Sequence, residues 1–457
     1  MNHVVKKPTT VSHVLAVPFP SRGHINPMMN LCKSMLSKNN DILITFVVTE
    51  EWCGVVESEP RPDNIRFGTI PNVYTTSAVY RSGDYSPGFL KQVLTKMEAP
   101  LEELIDRLET PVTTIIYDTY LPFVVGVGSR RNIPLASFWT MSALVYSVFH
   151  HFDLLVRNQC FPINLLEQGE EVVDCIPGVS SIRKVDLPTC LYGKGLEVLH
   201  TGLEAISSVS SVQYLLLVSA YELESDIIDA LKSNVPIPIY HIGPPIPHFN
   251  LANPSEENYF QWLDSQPPSC VLYVSQGSLH SATSAQLDEL AAGLRISGVR
   301  YLWVGRKDTP RLKQGCGETG LIVPWCDQLR VLCHPSIGGF WSHCGWNSTS
   351  EAIFAGVPML TFPIYWDQTP NSKRIVEDWK IGWRVKHKLE TNSLVSREEI
   401  AGLIRKFMDL ESEEGKELRR RAKKLSGISR RAVQNGGSSD TDLQNFVDDI
   451  SKCHRQI

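Results

Sequence analysis

The sequence predicts an α/β fold in two parallel-sheet halves that share a central cleft. Short β-branched or aromatic runs alternate with longer amphipathic segments along the whole chain, the pattern of strands joined through helices. The short runs are almost continuously apolar, as strands covered on both faces must be. At 457 residues the chain is also too long for one ordinary core and fits two domains of roughly 200 residues each.

In the first half, His13 to Pro18, Ile42 to Thr49, Thr113 to Tyr117 and Leu135 to Trp139 read as buried strands, each bounded by Gly, Pro or polar residues. Asn30 to Lys38, Phe89 to Leu108 and Leu121 to Arg131 carry helical spacing between them. A second series runs through Val271 to Ser275, Tyr301 to Val304, Gly320 to Val323, Ile337 to Trp341 and Met359 to Phe362. The two series meet in Val235 to Pro268, where Pro236, Pro238, Pro244, Pro245, Pro247, Pro254, Pro267 and Pro268 punctuate a stretch suited to an interdomain linker. Ser396 to Leu425 is a charged helical region whose i,i+4 pairs describe a solvated face. Asn435 to Asp440 reads as a polar turn, followed by a last helical segment ending near Cys453. The expected division is 1–240, a linker at 241–255, 256–435, and a closing segment 436–457.

Composition narrows the partners. Hydrophobic residues make up 42% and charged residues 20%, which is ordinary globular usage. A net charge of −5 and a pI near 6.2 give no basic footprint for nucleic acid or an anionic membrane. No apolar run approaches the roughly 18 residues that span a bilayer, and Met1 to Val14 has no apolar signal core. Eleven cysteines, an odd number scattered along the chain, read as reduced thiols, and a cytoplasmic protein is the expectation. The sequon Asn347-Ser348-Thr349 reads as coincidence in that setting.

Three short motifs fail on context. Gly315 to Gly320 spells GxGxxG, but it follows a charged loop and leads into a strand instead of opening a helix. Asp440-Thr441-Asp442 resembles a metal-binding DxD, yet beside Gly436 and Gly437 an Asp at a helix N-cap explains it. Cys326, Cys333, His334, His343 and Cys344 lack the spacing of zinc ligands, so no metal site is expected.

The densest segment runs from Trp325 to Gln368. His343-Cys344-Gly345-Trp346-Asn347-Ser348-Thr349 follows an apolar strand and precedes a helix expected from about Ser350. Such a strand-to-helix turn offers free backbone N–H groups and a positive dipole end, which suit a phosphate. His343, Asn347 and Ser348 add side-chain donors, and Gly345 allows close backbone approach. In the other half, Pro18-Phe-Pro-Ser-Arg-Gly23-His24-Ile-Asn-Pro27 leaves the first strand and starts a helix, and Asp118 closes the strand Thr113 to Tyr117. Both His24 and Asp118 therefore sit at carboxyl ends of parallel strands, where open α/β sheets place their ligands.

Over its 44 residues, Trp325 to Gln368 closely resembles the plant secondary-product glycosyltransferase signature, the donor site of family-1 UDP-sugar-dependent glycosyltransferases. Cys326-Asp327 stands where that family has Ala-Pro, and Ser342 where Thr is common. The resemblance extends over essentially the whole chain and implies the GT-B arrangement: two Rossmann-like domains, the first binding the acceptor and the second the UDP-sugar, with the last helix returning to the first. It implies that Trp325 stacks on uracil and the Cys326 backbone bonds its edge. Gln328 and Glu351 then hold the ribose, and His343, Asn347 and Ser348 the diphosphate, with Gly345 in the turn. Trp346, Asp367 and Gln368 contact the sugar, the terminal Gln favouring glucose; Thr140 lies near it. Ser278 matches a phosphate-contacting position, while Gln276 replaces the usual Phe.

The same resemblance makes His24 the general base and Asp118 its paired acid, with Arg22 in place of a frequent Gln. His24 takes the acceptor proton, Asp118 holds the imidazole tautomer, and the activated oxygen displaces UDP with inversion. UDP-glucose is a co-substrate, and no cofactor or metal is required. Phe19, Tyr80 to Leu90, Tyr120, Trp139, Met141, Tyr146, Phe149 and Leu187 to Leu199 are the candidate acceptor-binding positions, suited to a small lipophilic phenolic, flavonoid, terpenoid or hormone. A monomer is expected. Alternatives are a UDP-sugar-binding protein without turnover, transfer of another sugar, or attack from carbon or nitrogen; a nucleotide-dependent oxidoreductase is opposed by the misplaced GxGxxG.

Overall fold

The computed structural model describes residues 12–73, 87–246, 258–277, 283–305, 319–385 and 394–453. Seven strands form the first sheet: β1 His13–Val17, β2 Leu43–Thr49, β3 Ile65–Ile70, β4 Thr114–Asp118, β5 Leu135–Trp139, β6 Tyr214–Leu217 and β7 Ile239–His241. All pair in parallel, in the order β3-β2-β1-β4-β5-β6-β7. Six strands form the second: β8 Val271–Ser275, β9 Arg300–Val304, β10 Gly320–Val323, β11 Ile337–Ser342, β12 Met359–Thr361 and β13 Gly382–Arg384. They too are parallel, in the order β10-β9-β8-β11-β12-β13. Strand order reverses beside β1 in one sheet and β8 in the other, and a crevice opens at each reversal.

The apolar runs explain the central strands directly. β1, β4 and β5 are buried at every residue because helices cover both faces of the sheet. One side of the first sheet packs the large cluster around Leu15, Ile115, Leu135 and Leu217, and the other packs Val14, Ala16, Phe46, Ile116 and Leu216. The alternation of partners along each strand is the pleat itself. Among the described strands of these two sheets, β3, β6, β7 and β13 were not individually expected, nor was the short antiparallel pair Val172–Val173 and Ile182–Arg183.

Helix boundaries differ from expectation in ways with physical causes. The first helix begins at Arg22, well before Asn30, and carries Pro27 inside it. The expected helix Phe89 to Leu108 is two helices, Pro87–Lys96 and Glu98–Arg107, joined at Met97. Ser396 to Leu425 also divides, into Arg397–Met408, opened by a capping box of Ser396 and Glu399, and Glu413–Val433. The helix expected from Ser350 begins at Trp346, so the whole Trp346-Asn347-Ser348 run lies in its first turn.

The closing helix Ser438–Cys453 begins inside the expected turn. Asp440 is therefore not a cap but a first-turn residue, accepting from the Gly436 N–H at 3.0 Å and pairing with Lys38. Asp442 accepts from the His241 N–H at 3.0 Å. Leu443, Phe446, Val447 and Ile450 of this helix complete the apolar face beside Tyr214 and Tyr240. This helix thus packs on the first sheet. Among the described residues no helix is long and apolar enough to cross a membrane. Tyr80 to Ser86, linker residues 247–255 and Gly315 to Gly317 lie outside the described residues.

Candidate active site

A cleft of about 850 Å³ lies between the two sheets at their carboxyl edges. On the first-sheet side, β1 ends at Val17 and the chain turns through Pro18 to Ser21 into the helix. The Trp52 indole N–H holds that turn by donating to the Pro20 carbonyl at 3.0 Å. His24 is consequently presented in the helix's first turn, and Asp118 is the last residue of the adjacent β4. His24 Nδ1 lies 2.6 Å from Asp118 Oδ2. Asp118 is 1% exposed and its other oxygen accepts from the Tyr120 backbone N–H at 3.0 Å. The Thr140 hydroxyl lies 3.2 Å from His24 Nδ1, so it joins the pair and not only the space in front of it. With Nδ1 engaged, Nε2 is the ring nitrogen left for the cleft.

On the second-sheet side, β11 ends at Ser342 and the helix starts at Trp346. Cys344 makes the turn with φ +67°, and its carbonyl accepts from the Asn371 amide at 3.0 Å. The His343 ring lies over two glycines. A Cβ at Gly277 would stand 2.6 Å from His343 Nε2, and one at Gly345 would stand 2.5 Å away. The close approach that Gly345 permits is thus made by His343 itself. No side chain caps this helix at Gly345, so its first-turn N–H groups face the cleft region as donors.

Gln328 and Glu351, which the resemblance assigns to one ligand group, meet in the structure. Gln328 Nε2 donates to Glu351 Oε2 at 2.7 Å and to Ser348 Oγ at 2.9 Å, while the Tyr273 hydroxyl donates to Gln328 Oε1 at 3.2 Å. Desolvation pushes the Glu351 carboxyl up to about 7, against the opposing pull of Gln328. Asp367 is raised to about 6 by burial, although Asn371 donates to it at 2.8 Å. Gln368 Oε1 accepts from the N–H groups of Ile364 and Tyr365 at 2.7 and 2.9 Å, clamping the preceding turn. Trp325 is 56% exposed at the mouth.

The Cys326-Asp327 departure has a local account. Asp327 caps the helix Gln328–Leu332 by accepting from the Arg330 N–H at 3.2 Å, and its own N–H donates to the Tyr259 hydroxyl at 3.2 Å. A proline there could make neither bond. The Cys326 thiol is buried 3.4 Å from the Tyr273 hydroxyl and is pushed up to about 12 by desolvation.

Several expected positions need correction. The Trp346 indole is not free for a sugar: the ring is 3% exposed and its N–H donates to the Val218 carbonyl of the first half. Trp346 nevertheless lines the cleft, beside Asn347 and Ser348. Asn347 also reaches across, its Nδ2 donating to the Gly23 carbonyl at 2.7 Å. Of the acceptor-binding candidates, Phe19, Tyr120 and Met141 line the cleft. Trp139, Tyr146 and Phe149 form a layer behind them, Trp139 stacking on Tyr120 at 5.7 Å and meeting Tyr146 edge-on at 5.3 Å. The wall also includes Leu90 and Val198, within the expected segments. Ser278 lies outside the described residues.

Sequence reasoning missed Tyr365 and Trp366, which line the cleft beside Asp367. Trp366 has φ +60°, a costly conformation for a bulky residue. Thr189 holds it there: its hydroxyl accepts from the Trp366 N–H at 2.7 Å and its own N–H donates to the Trp366 carbonyl at 3.0 Å. The two adjacent aromatics before Asp367-Gln368 were the available signal.

The model of the family described as UDP-glucoronosyl and UDP-glucosyl transferase matches residues 242–400. The chain is 48% identical over 441 residues to UDP-glycosyltransferase 87A1 of Arabidopsis thaliana, covering 95% of this chain and 100% of the relative. Among solved structures, Os79 from O. sativa in complex with UDP superposes with a TM-score of 0.81 at 29% identity, covering 96% of this chain and 100% of that one. UGT71G1 of Medicago truncatula, complexed with UDP-glucose, gives a TM-score of 0.79 at 26% identity, covering 96% and 98%.

Proposed function

The chain belongs to the UDP-dependent glycosyltransferases of plants, and from that premise we propose that it transfers glucose from UDP-glucose, with inversion, to a hydroxyl of a small lipophilic acceptor. The observation that carries this reading is the His24–Asp118 pair at 2.6 Å on a cleft wall that faces the uncapped helix Trp346–Ala355. A base on one side and a row of donors on the other is what displacement of a nucleoside diphosphate requires.

In this reading His24 Nε2 takes the acceptor proton as the oxygen forms its bond to the anomeric carbon. The bond from that carbon to the diphosphate oxygen breaks, and UDP leaves with the electron pair. Asp118 fixes the Nδ1–H tautomer and stabilises the imidazolium formed. The first-turn N–H groups, His343, Asn347 and Ser348 stabilise the developing diphosphate charge, so no metal ion is called upon. Trp325 stacks on uracil, Cys326 bonds it through the backbone, and Gln328 and Glu351 take the ribose. Asp367 and the Gln368 amide take the sugar hydroxyls. The acceptor lies against Phe19, Leu90, Tyr120, Met141, Val198 and Trp366, an apolar wall suited to a phenol, flavonoid, terpenol or hormone.

Residues 1–240 then supply the base and acceptor wall, 256–435 the donor wall, and 436–457 the returning helix, in a monomeric cytoplasmic enzyme. The glucose donor is supported by the terminal Gln368 and by the Medicago truncatula relative complexed with UDP-glucose. The test is product mass analysis after incubation with UDP-glucose and a panel of phenols, flavonoids, terpenols and hormone acids. Hexose-bearing products that disappear in His24→Ala are expected. Hexose transfer that persists in that variant would refute the base assignment.

A further inference from the structure

The first helix starts at Arg22, so the Gly23 carbonyl should accept the backbone N–H four residues on. That residue is Pro27, which has no N–H and whose ring presses against the carbonyl at i−4. A proline in the second turn is costly to a helix, and an orphaned carbonyl beside a partly buried cleft adds to the cost. Here the carbonyl has a partner from elsewhere. Asn347 Nδ2, 324 positions away and in the opposite wall, donates to it at 2.7 Å. One end of this bond adjoins His24. The other adjoins Ser348, which accepts from Gln328 at 2.9 Å.

We propose that Pro27 is a positioning residue: by withholding a backbone N–H it keeps the Gly23 carbonyl available to Asn347, and that bond ties the helix bearing His24 to the helix that faces the donor. The proposal rests on the reading of His24 as the base. An amide nitrogen carries two protons. One is given to Gly23, which leaves the second for a diphosphate oxygen, so a single side chain can touch both the leaving group and the base's helix. The cross-cleft bond fixes where His24 stands relative to the anomeric carbon, and rate is steep in such placement.

Pro27→Ala tests this because it restores the missing N–H without touching His24, Asp118 or the donor wall. The helix gains its i→i−4 bond and a better helix former, while the Gly23 carbonyl is drawn back from Asn347. With UDP-glucose and the phenol that the wild type converts fastest, kcat is expected to fall about tenfold or more. UDP affinity by calorimetry should stay within twofold and the thermal midpoint should hold or rise. A purely structural proline would instead lower the midpoint and leave the rate per folded molecule intact. In Asn347→Ala, where the bond is already absent, adding Pro27→Ala should change kcat by less than twofold.

A Pro27→Ala rate within twofold of wild type overturns the proposal, as does a full additional loss in the double variant. His24→Ala in the same assay separates the two levels of failure. If it keeps its rate, the base reading falls and this proposal with it; if it is inactive while Pro27→Ala is unimpaired, only this proposal falls.

Discussion

Replacing Asp118 by Asn changes one atom, and the surroundings dictate how the new amide must sit. The native carboxylate accepts twice, from His24 Nδ1 at 2.6 Å and from the Tyr120 N–H at 3.0 Å. An amide has only one acceptor oxygen. If that oxygen faces Tyr120, the NH2 faces His24 and forces the Nδ1 lone pair toward it, placing the proton on Nε2, where the base must be empty. If the amide flips, its NH2 meets the Tyr120 N–H in a site where the side chain is 1% exposed. Leaving such donors opposed costs about 2–3 kcal/mol. Either orientation also forfeits the charge-assisted bond that stabilises imidazolium, worth about 1.5–3 kcal/mol. Together these give about 4–5 kcal/mol, or a fall of roughly 10³-fold in kcat.

Because Asp118 is on the first-sheet side, away from the Trp325 and Glu351 wall, UDP binding should not follow. The assay is hexosyl product formation under saturating UDP-glucose, paired with calorimetric UDP titration of the same preparations. A variant retaining more than a tenth of wild-type kcat, or one losing UDP affinity in step with its rate, would refute the tautomer argument.

Other expectations concern binding and stability. Glu351 keeps its proton up to about pH 7 in the fold, whereas an unfolded Glu loses it near 4.3, so this group's contribution to stability declines as pH rises between those values. As the carboxylate is the stronger acceptor for a ribose hydroxyl, UDP affinity should rise about three- to tenfold from pH 6 to 8, and Glu351→Gln should flatten that part of the titration. Gln276 is 6% exposed with both amide atoms unpaired, so Gln276→Leu should stabilise the second half by about 2 kcal/mol, read as a higher urea midpoint, and an unchanged midpoint would count against the burial argument. Thr189→Val removes the hydroxyl that accepts from the Trp366 N–H, so KM for the acceptor should rise about tenfold with UDP affinity unchanged; an unchanged KM would remove Trp366 from the acceptor wall.

How legible each part was depended on how local its cause is. Runs such as Val271–Ser275 and Leu135–Trp139 are buried on both faces, and their composition alone marks them. β3 hides because Gly68 interrupts it; the gap is filled by Leu104, whose Cδ2 would stand 2.8 Å from an added Cβ. Pro27 lies inside the first helix, and the Gly23 carbonyl that it cannot serve has a partner in the other half, which local sequence does not reveal. His24 and Asp118 could be placed together because both leave neighbouring strand ends. The direction of the Trp346 ring could not be, since it is set by the Val218 carbonyl across the interface. Trp139 and Tyr120 have the same chemistry in sequence, and only the order of layers puts one on the wall and the other behind it.

The helix Ser438–Cys453 carries a consequence for biosynthesis. It supplies Leu443, Phe446, Val447 and Ile450 to the core of the first half, beside strands synthesised more than 200 residues earlier. Domains commonly fold in the order in which they are made. Here the half that leaves the ribosome first waits with an uncovered apolar face until Ser438–Cys453 has also emerged, by which point residues 258–433 of the second half have been made. The first domain is therefore the last to be finished, and nascent chains stopped anywhere before Ser438 should be clients for chaperones.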